Sequence, residues 1–305
     1  MNQEQENKPF RSGFIAVVGR PNVGKSTLIN SLLGQKLLIM SDKPQTTRNQ
    51  LLCILTTDTA QMLFLDTPGI HKPKHKLGEF MVSQAEKTLR DVDVTLFVVD
   101  ATEERGPGEN FILEYLAKSD VPVILVVNKI DQLSGPDAVL AVINRYAHTI
   151  NFHAVVPISA LEKTNLNKLL ELIEAELPEG PMFYPADMVT DQPERFIVAE
   201  LVREKLLHVM RDEVPHAIAV EVDEMKTREN DDVYIRANVY VERESQKGIV
   251  IGAGGNILKE VGRLARQEIE AMLGNRVYLE LWVKVKKDWR NKDGSLRSFG
   301  YGDRQ

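Results

Sequence analysis

The stretch "FIAVVGRPNVGKSTLINSLL", residues 14–33, decides the fold of the first part of this chain. It contains "GRPNVGKS" (19–26), which fits G-x-x-x-x-G-K-S between an apolar run and a helical one. The glycines let the backbone curl so that successive N–H groups point at phosphate oxygens, helped by the helix N-terminus. Lys25 is expected to reach the β- and γ-phosphates, and Ser26 to give its hydroxyl to Mg²⁺. The stretch therefore predicts a nucleoside triphosphate site.

Apolar runs and amphipathic segments alternate around this loop, which is typical of an α/β sheet. The expected strands are 14–19, 51–57, 61–66, 94–100, 122–128 and 153–159. The expected helices are 25–34, 78–90, 108–118, 136–149 and 165–177. Several strands are apolar throughout, as strands covered on both faces must be. We predict a mostly parallel six-stranded sheet with helices on both faces and one antiparallel hairpin, because a short turn joins the second and third strands.

The pattern changes after about residue 178, where a proline-rich stretch interrupts the periodicity. A helix (194–212), strands at 216–227 and 233–243, a glycine loop with its helix, and a strand at 277–287 follow. They predict a smaller α+β unit with a three-stranded sheet. The predicted division is a flexible lead (1–11), a nucleotide-binding domain (12–178), a linker (179–193) and a second domain with a basic C-terminal tail (194–305).

Length, composition and charge limit the classes of protein to which this chain can belong. With 305 residues, 43% of them hydrophobic, the chain has room for two cores, and no apolar run approaches the roughly 18 residues that span a bilayer. The start lacks the features of a signal peptide and Cys53 is the one cysteine, so we expect a cytoplasmic protein. The net charge of −6 argues against a nucleic-acid partner, but residues 281–297 carry six basic and two acidic residues.

A second motif, "LDTPG" (65–69), ends the third strand. Asp66 is thereby placed at the carboxyl edge of the sheet, where open α/β sheets bind ligands. We expect Asp66 to hold the metal and the Gly69 N–H to sense the γ-phosphate.

The third and fourth motifs indicate guanine. Asp131 of "NKID" (128–131) can accept hydrogen bonds from N1–H and from the exocyclic amine of guanine, which adenine cannot offer together. Asn128 and Lys129 are expected to bind the base edge and pack on its plane, and "SAL" (159–161) to bring backbone donors toward O6. The four motifs in this order resemble the translation-factor-related GTPases.

The predicted site residues fall into three groups. The expected GTP contacts are Gly19, Arg20, Pro21, Asn22, Val23, Gly24, Lys25, Ser26, Thr27, Asp66, Thr67, Pro68, Gly69, Ile70, Asn128, Lys129, Ile130, Asp131, Ser159, Ala160 and Leu161. The expected catalytic residues are Lys25, Thr47, Gly69 and Asn22. The expected metal ligands are Ser26, Thr47 and Asp66.

Hydrolysis is expected to depend on a switch and a cation. Residues 41–50 are polar and broken by a proline, as a mobile switch should be, and Thr47 is expected to close on Mg²⁺, with Thr46 as the alternative. Ile70 stands where Ras-like enzymes carry a glutamine, so turnover should be slow. Asn22 resembles the asparagine by which some related GTPases hold K⁺.

Zinc is not expected. Histidines stand four residues apart at 71 and 75, but Pro73 between them breaks the helix that would bring them to one face.

A second glycine loop follows at Gly252, Ala253, Gly254 and Gly255. A dinucleotide fingerprint fails because Ile257 stands where a third glycine is needed. The remaining G-x-x-G, in the order helix-strand-strand-loop-helix-strand, resembles a type II KH module, in which such a loop clamps single-stranded RNA. We expect phosphate contacts from the loop N–H groups and from nearby basic residues, and base contacts from three isoleucines. The basic residues are Lys259, Arg263, Arg266, Lys284, Lys286 and Lys287, and the isoleucines are Ile249, Ile251 and Ile257.

A phosphate-loop GTPase followed by a type II KH domain resembles the Era family of ribosome-assembly GTPases, over about residues 12–300. The resemblance implies that a monomer binds GTP or GDP, Mg²⁺, small-subunit (16S) ribosomal RNA near its 3′ end and pre-30S particles, with some peripheral contact to the cell membrane. K⁺ is a further expected cofactor. Two alternatives stay open: a GTP-gated RNA-binding module with incidental turnover, and a related GTPase of tRNA modification or of the membrane.

Overall fold

The structure is a computed structural model that describes residues 9–43, 46–68, 76–88 and 91–301. The described residues form two compact units. The first consists of the described parts of Met1–Leu38, Asn49–His71 and Met81–Asp191. The second consists of those of Ile39–Arg48, Lys72–Phe80 and Gln192–Gln305.

A six-stranded sheet organises the first unit. In chain order its strands are β1 Arg11–Val18, β2 Leu51–Thr56, β3 Ala60–Asp66, β4 Val94–Asp100, β5 Val123–Asn128 and β6 Ala154–Pro157. Their order in the sheet is β2-β3-β1-β4-β5-β6, and every neighbouring pair is parallel except β2 with β3. The mostly parallel sheet with an antiparallel edge hairpin is therefore confirmed. Every residue of β4 is buried, as a strand covered on both faces requires.

Helices connect these strands. They are α1 Lys25–Leu33, α2 Lys76–Thr88, α3 Pro107–Leu116, α4 Pro136–Tyr146 and α5 Leu166–Glu176. Helix α1 begins after Gly24 and ends at Gly34, both with positive φ, which glycine adopts without strain. Helix α3 begins at Pro107, and the Glu109 carboxylate accepts the Gly106 N–H at 2.9 Å. Local signals thus set where each of these two helices starts.

Residues 179–190, predicted as the first part of a linker, are hydrogen-bonded to the first unit. Isolated bridges join Arg11 to Glu179 and Cys53 to Thr190. The Gln61 side chain accepts the N–H groups of Phe183 and Tyr184 at 2.7 and 3.0 Å. This stretch therefore runs along the hairpin side of the sheet, and the predicted domain limits stay a prediction.

The second unit contains an α+β arrangement, as predicted. Its elements are α6 Glu194–Val209, β7 Ala219–Thr227, β8 Val233–Val241, α7 Glu244–Ile251, α8 Asn256–Leu273, β9 Val277–Val285 and α9 Asp293–Ser298. The sheet has the order β7-β8-β9, with β7 antiparallel and β9 parallel to β8. None of the described helices is long and apolar enough to cross a membrane.

One element of the second unit was missed. The expected order placed the glycine loop directly after the second strand, but helix α7 lies between them. Its β-branched "IVI" is more typical of strands, which hid a helix of eight residues. The Gln246 side chain accepts the Arg243 N–H at 3.0 Å and thereby caps the helix start.

Candidate functional site: a phosphate loop and a glycine-loop groove

The first glycine loop is packed so tightly that two of its glycines leave no room for a side chain. A Cβ on Gly19 would lie 2.3 Å from the Val98 carbonyl oxygen. A Cβ on Gly24 would lie 2.3 Å from the Asn128 amide nitrogen, and Gly24 has φ +98°. Asn22 also has a left-handed backbone, with φ 66°. The chain therefore curls between β1 and α1 in the way that a phosphate cradle requires.

Lys25 lies inside this curl. Its ammonium group donates hydrogen bonds to the carbonyl oxygens of Gly19 at 3.0 Å and Arg20 at 2.9 Å. Burial lowers the pKa of Lys25 to about 8, and the nearby Asp66 carboxylate offsets part of that effect. The side chain thus places a buried ammonium group inside the loop, and burial makes its proton easier to lose than that of an exposed lysine.

The predicted metal ligands from the two motifs of the first unit meet. Asp66, at the end of β3, is fully buried, and the Ser26 hydroxyl donates to its Oδ2 at 3.2 Å. Thr67 is held beside them because its hydroxyl donates to the Val17 carbonyl oxygen at 2.7 Å. A hydroxyl and a carboxylate are the oxygen donors that Mg²⁺ prefers, so these two residues fit that ion.

Asn128 connects the phosphate loop to the predicted guanine loop. Its amide donates to the Val23 carbonyl oxygen at 2.9 Å, and its Oδ1 accepts the Ala160 N–H at 2.9 Å. Asn128 therefore positions two loops against each other. Each end of the amide makes one bond within the protein and keeps further hydrogen-bonding capacity, so the expected contact of this side chain with the edge of the base stays a prediction.

The other residues of the guanine motifs surround this link. Lys129, with φ 68°, makes an ion pair with Asp100. Burial disfavours ionisation of Asp100, but hydrogen bonds from Lys129 and Thr102 outweigh it and hold the pKa of this carboxyl below its usual range. Asp131 is exposed on the short turn Ile130–Gln132, open to a ligand.

The serine loop has its own support. The Ser159 hydroxyl accepts the Glu162 N–H at 3.0 Å, and Ser159 and Ala160 are buried. Leu161 is 70% exposed and is free of the tight packing that holds its two neighbours. The loop is thus fixed by its backbone and presents an apolar side chain at the surface.

Three acidic residues near the loop were missed by the sequence analysis. Arg20 makes ion pairs with Glu103 and with the buried Glu109. Asp100 holds Lys129, as described above. Only the Glu109 contact left a local signal, the capping pattern at the start of α3. The contacts of Asp100 and Glu103 depend on how the strand ends converge.

In the second unit, the glycine loop opens helix α8. Gly252, Gly254 and Gly255 have φ of 75°, 59° and 78°, values that favour glycine. A Cβ on Gly252 would lie 2.6 Å from the Ile257 side chain, whereas a Cβ on Gly254 or Gly255 would meet nothing within 4 Å. The middle of the loop is thus an open backbone surface.

A groove of about 650 Å³ runs from this loop along α8 and β9. Its lining comprises Gly255, Asn256, Leu258, Lys259, Glu260, Gly262, Arg263, Arg266, Leu279 and Leu281. Basic side chains from α8 therefore flank leucines from α8 and β9. These leucines add apolar surface that was not predicted, and the expected base contacts of Ile249, Ile251 and Ile257 stay a prediction.

Known protein families match both parts of the chain. The family model described as "50S ribosome-binding GTPase" matches residues 14–129, and the model for the KH domain matches residues 213–290. The GTPase Era of Heliobacterium modesticaldum is 56% identical over 295 residues, which are 97% of this chain and 98% of that protein. The chain belongs to the Era family of GTPases. The family predicted from the sequence is thereby confirmed.

Two solved Era structures superpose on this Era-family chain with a TM-score of 0.92. One is Era in complex with MgGDPNP and nucleotides 1506–1542 of 16S ribosomal RNA, 44% identical and covering 96% of this chain and 100% of the other. The second is a variant of Aquifex aeolicus Era bound to GDP·AlF4⁻, 45% identical with the same coverage.

In this Era-family chain, most of the predicted switch lies in the segment Ile39–Arg48, which belongs to the second unit. The Glu204 carboxylate accepts the Met40 N–H at 2.8 Å, and Arg203 donates to the Thr46 carbonyl oxygen. The Thr46 hydroxyl donates to the Lys43 carbonyl oxygen at 2.7 Å. Thr47 belongs to the same segment, Ile39–Arg48. Gly69, Ile70, His71 and His75 lie outside the described residues.

Arg48 ends that segment and is 2% exposed. Its guanidinium donates to the carbonyl oxygens of Ile218 at 2.5 Å and Pro215 at 3.3 Å. It also lies over the rings of Trp289 and Tyr301, at 5.7 and 5.8 Å from their centroids. Arg48 is therefore a core residue of the second unit, which sequence position gives no reason to expect.

The predicted RNA-binding lysines near the end of β9 differ in their exposure and contacts. Lys284 and Lys287 are exposed. The Lys286 ammonium lies 4.3 Å from the centre of the Phe299 ring and donates to the Ser298 hydroxyl at 2.9 Å. Lys286 thus contacts the C-terminal helix region, and its charge is partly engaged there.

Proposed function

We propose that this Era-family GTPase is a GTP-hydrolysing switch that binds the 3′ end of 16S ribosomal RNA through its KH groove and assists assembly of the small ribosomal subunit. The observation that carries the proposal is the presence, in one chain, of a complete phosphate loop and a basic groove beside a G-x-x-G loop. A relative with 44% identity binds MgGDPNP and 16S ribosomal RNA together, which supports the same pair of ligands here.

The first unit handles the nucleotide. The loop N–H groups and Lys25 bind the phosphates, and Asp131 selects guanine by accepting two hydrogen bonds from its N1–H and amine. Ser26, Asp66 and the switch threonine Thr47 hold Mg²⁺, which neutralises charge on the phosphates during phosphoryl transfer. Asn128 keeps the phosphate loop and the Ala160 backbone in register, so that phosphates and base bind as one ligand.

We also propose a role for K⁺. Asn22 lies in the loop with a left-handed backbone, and a monovalent cation beside it would supply positive charge in the place that an arginine finger takes in other GTPases. Hydrolysis should be faster in K⁺ than in Na⁺, and Asn22→Ala should remove that difference. Equal rates in both salts for the natural protein would remove the cation from the mechanism.

The second unit handles RNA. Loop N–H groups and Lys259, Arg263 and Arg266 contact phosphates, and the leucine-lined floor of the groove accepts bases. The test compares two RNAs of equal length: one with the sequence of nucleotides 1506–1542 of 16S ribosomal RNA, and a shuffled version of it. Filter binding should show preference for the natural sequence, and equal affinity would contradict the choice of target.

Hydrolysis should be coupled to this RNA. Single-turnover rates measured with and without the 16S fragment distinguish a switch whose turnover responds to RNA from a binding module with incidental turnover. The domain limits (1–11, 12–178, 179–193 and 194–305) and a cytoplasmic location, both predicted from the sequence pattern, complete the proposal. A monomeric state and peripheral membrane contact are added from the family resemblance.

A further inference from the structure

The sheet of the second unit has an apolar face and an aromatic one. Alternate residues of β8, such as Ile235 and Ala237, are fully buried on one face. The opposite face presents Tyr234 from β8 and Tyr278 and Trp282 from β9. Tyr278 is 53% and Trp282 is 57% exposed, although large aromatic side chains usually bury most of their area.

Cations lie over these rings. The Tyr234 and Tyr278 rings are stacked, with centroids 5.9 Å apart and an angle of 17° between their planes. The Arg228 guanidinium carbon lies 5.2 Å from each centroid, and the Lys226 ammonium lies 5.3 Å from that of Tyr234. Flat guanidinium and aromatic groups are the surfaces on which proteins stack unpaired bases.

Acidic residues on the same face are engaged within the protein. Glu280 accepts a hydrogen bond from the Tyr234 hydroxyl at 3.0 Å. Asp223 makes an ion pair with Arg236 at 2.8 Å. Lys284, two residues beyond Trp282 on the same side of β9, is exposed. Glu224 makes ion pairs with Lys226 at 2.8 Å and with Arg236 at 3.5 Å. The face thus combines stacking surfaces with basic side chains, several of which are paired with carboxylates.

Strand β9 is shared between this face and the groove. It is an outer strand of the sheet, in the order β7-β8-β9. Leu279 and Leu281 line the groove, while Tyr278 and Trp282 point to the other face. A single strand of RNA that leaves the groove therefore needs only to turn around one strand edge to reach the aromatic rings.

We propose that Tyr278, Trp282 and Arg228 form a second RNA-binding surface, on which bases of a single-stranded segment continuous with the groove-bound segment stack. The inference rests on the proposed function, because the groove must hold RNA for its continuation to reach this face. It extends the binding site from the roughly four nucleotides of a KH groove to a longer segment.

The test uses two single-stranded 3′-terminal fragments of 16S ribosomal RNA, of about four and about twelve nucleotides, so that only the longer one can extend beyond the groove. The natural protein should bind the longer fragment more tightly. Trp282→Ala should bind the longer fragment about tenfold more weakly than the natural protein does, with an unchanged affinity for the short fragment. Trp282→Phe should retain most of the gain, and Met272→Ala, an exposed apolar residue of α8, should retain all of it.

Fluorescence gives an independent readout, since the chain has two tryptophans and Trp289 is fully buried. The longer RNA should quench Trp282 emission in the natural protein and should leave the remaining emission of Trp282→Phe unchanged. If Trp282→Ala keeps the full gain, the aromatic face is not an RNA surface, and a protein partner would give that result. If Gly254→Asp binds both fragments like the natural protein, the groove itself is not the RNA site and the proposed function fails.

Discussion

The two glycine loops of this molecule use glycine for different reasons. At residues 19–26 two glycines are demanded by the protein, since a Cβ at Gly19 or Gly24 would strike atoms 2.3 Å away. At residues 252–255 the middle glycines meet nothing within 4 Å, and only their positive φ favours glycine. The conformation of the first loop is therefore set by contacts within the protein and is preorganised for its ligand. The second is an exposed backbone surface whose shape becomes restrictive when a ligand approaches it.

This contrast predicts which changes damage folding and which damage only binding. Gly24→Ala tests the first loop most directly. Strain at φ +98° and displacement of the Asn128 amide, which makes two hydrogen bonds, should together lower the free energy of unfolding by about 3 kcal/mol. The affinity for GTP should fall by at least about a hundredfold, because the loop N–H groups no longer point at the phosphate oxygens. Urea denaturation and calorimetric titration with a GTP analogue measure the two effects.

The glycine that follows the other end of helix α1 offers a matched control. Gly34, after the end of α1, also has a positive φ of +69°, but a Cβ there meets nothing within 4 Å. Gly34→Ala should therefore cost about 1 kcal/mol of strain and leave GTP binding intact. If the two alanine variants behave alike, the collision at Gly24 has no consequence and the contrast between the loops collapses.

The next largest effect concerns protonation inside the first loop. Burial lowers the pKa of Lys25 to about 8, below the ordinary value of 10.5 that applies in the unfolded chain. Between these values the unfolded chain binds more protons, so the stability of the nucleotide-free protein rises with pH through this window. Below about pH 8 the penalty for burying the charge is fully present.

Lys25→Met removes the titrating group and so isolates this effect. The stability of the natural protein relative to this variant should increase by about 3 kcal/mol between pH 8 and 10.5. Chemical denaturation of both proteins across that range is the measurement. Parallel curves would show that Lys25 keeps its ordinary protonation in the empty loop.

At the second loop we expect a change in binding without a matching loss of stability. Gly254→Asp places a carboxylate where RNA phosphates approach, and should weaken RNA binding by about tenfold while GTP affinity stays unchanged. Gly254→Asn introduces a side chain of similar bulk to aspartate that also tolerates a positive φ but carries no charge. Its effect on RNA binding should therefore be smaller. Filter binding at two salt concentrations separates them, because repulsion is screened by salt and bulk is not. Equal losses at both salts would assign the effect to bulk.

The smallest effects concern the lysines near the end of β9. Lys284→Ala should reduce the slope of log K against log salt by about 0.7, the value for one contact to single-stranded RNA. Lys286→Ala should change that slope less and instead lower stability by about 0.5–1 kcal/mol, because its ammonium contacts Phe299 and Ser298. Equal salt slopes for the two variants would show that the contacts of Lys286 give way to RNA.

The sequence predicted the fold and both loops because their signals are local. G-x-x-x-x-G-K-S fixes a strand, a turn and a helix within a few residues, and G-x-x-G does so less completely. The bonds of Asn128 to Val23 and Ala160 were not predicted because these partners are 105 and 32 residues away. Helix α7 was missed because "IVI" is typical of strands, and the leucines of the groove because they come from two separate elements. Long-range packing was the missing information in each case.

Arg48 has a consequence for how this protein can be made and divided. Its guanidinium bonds to Ile218, which lies 170 residues later in the chain, and it packs on aromatic rings that lie later still. During synthesis an early stretch must therefore stay available until nearly the whole chain has left the ribosome, since such distant contacts form late. A gene fragment that begins at residue 192 encodes the KH sheet but omits this piece of its interior. The second unit is contiguous in space and not in the gene, and an isolated version of it needs residues 39–48 and 76–80 added back.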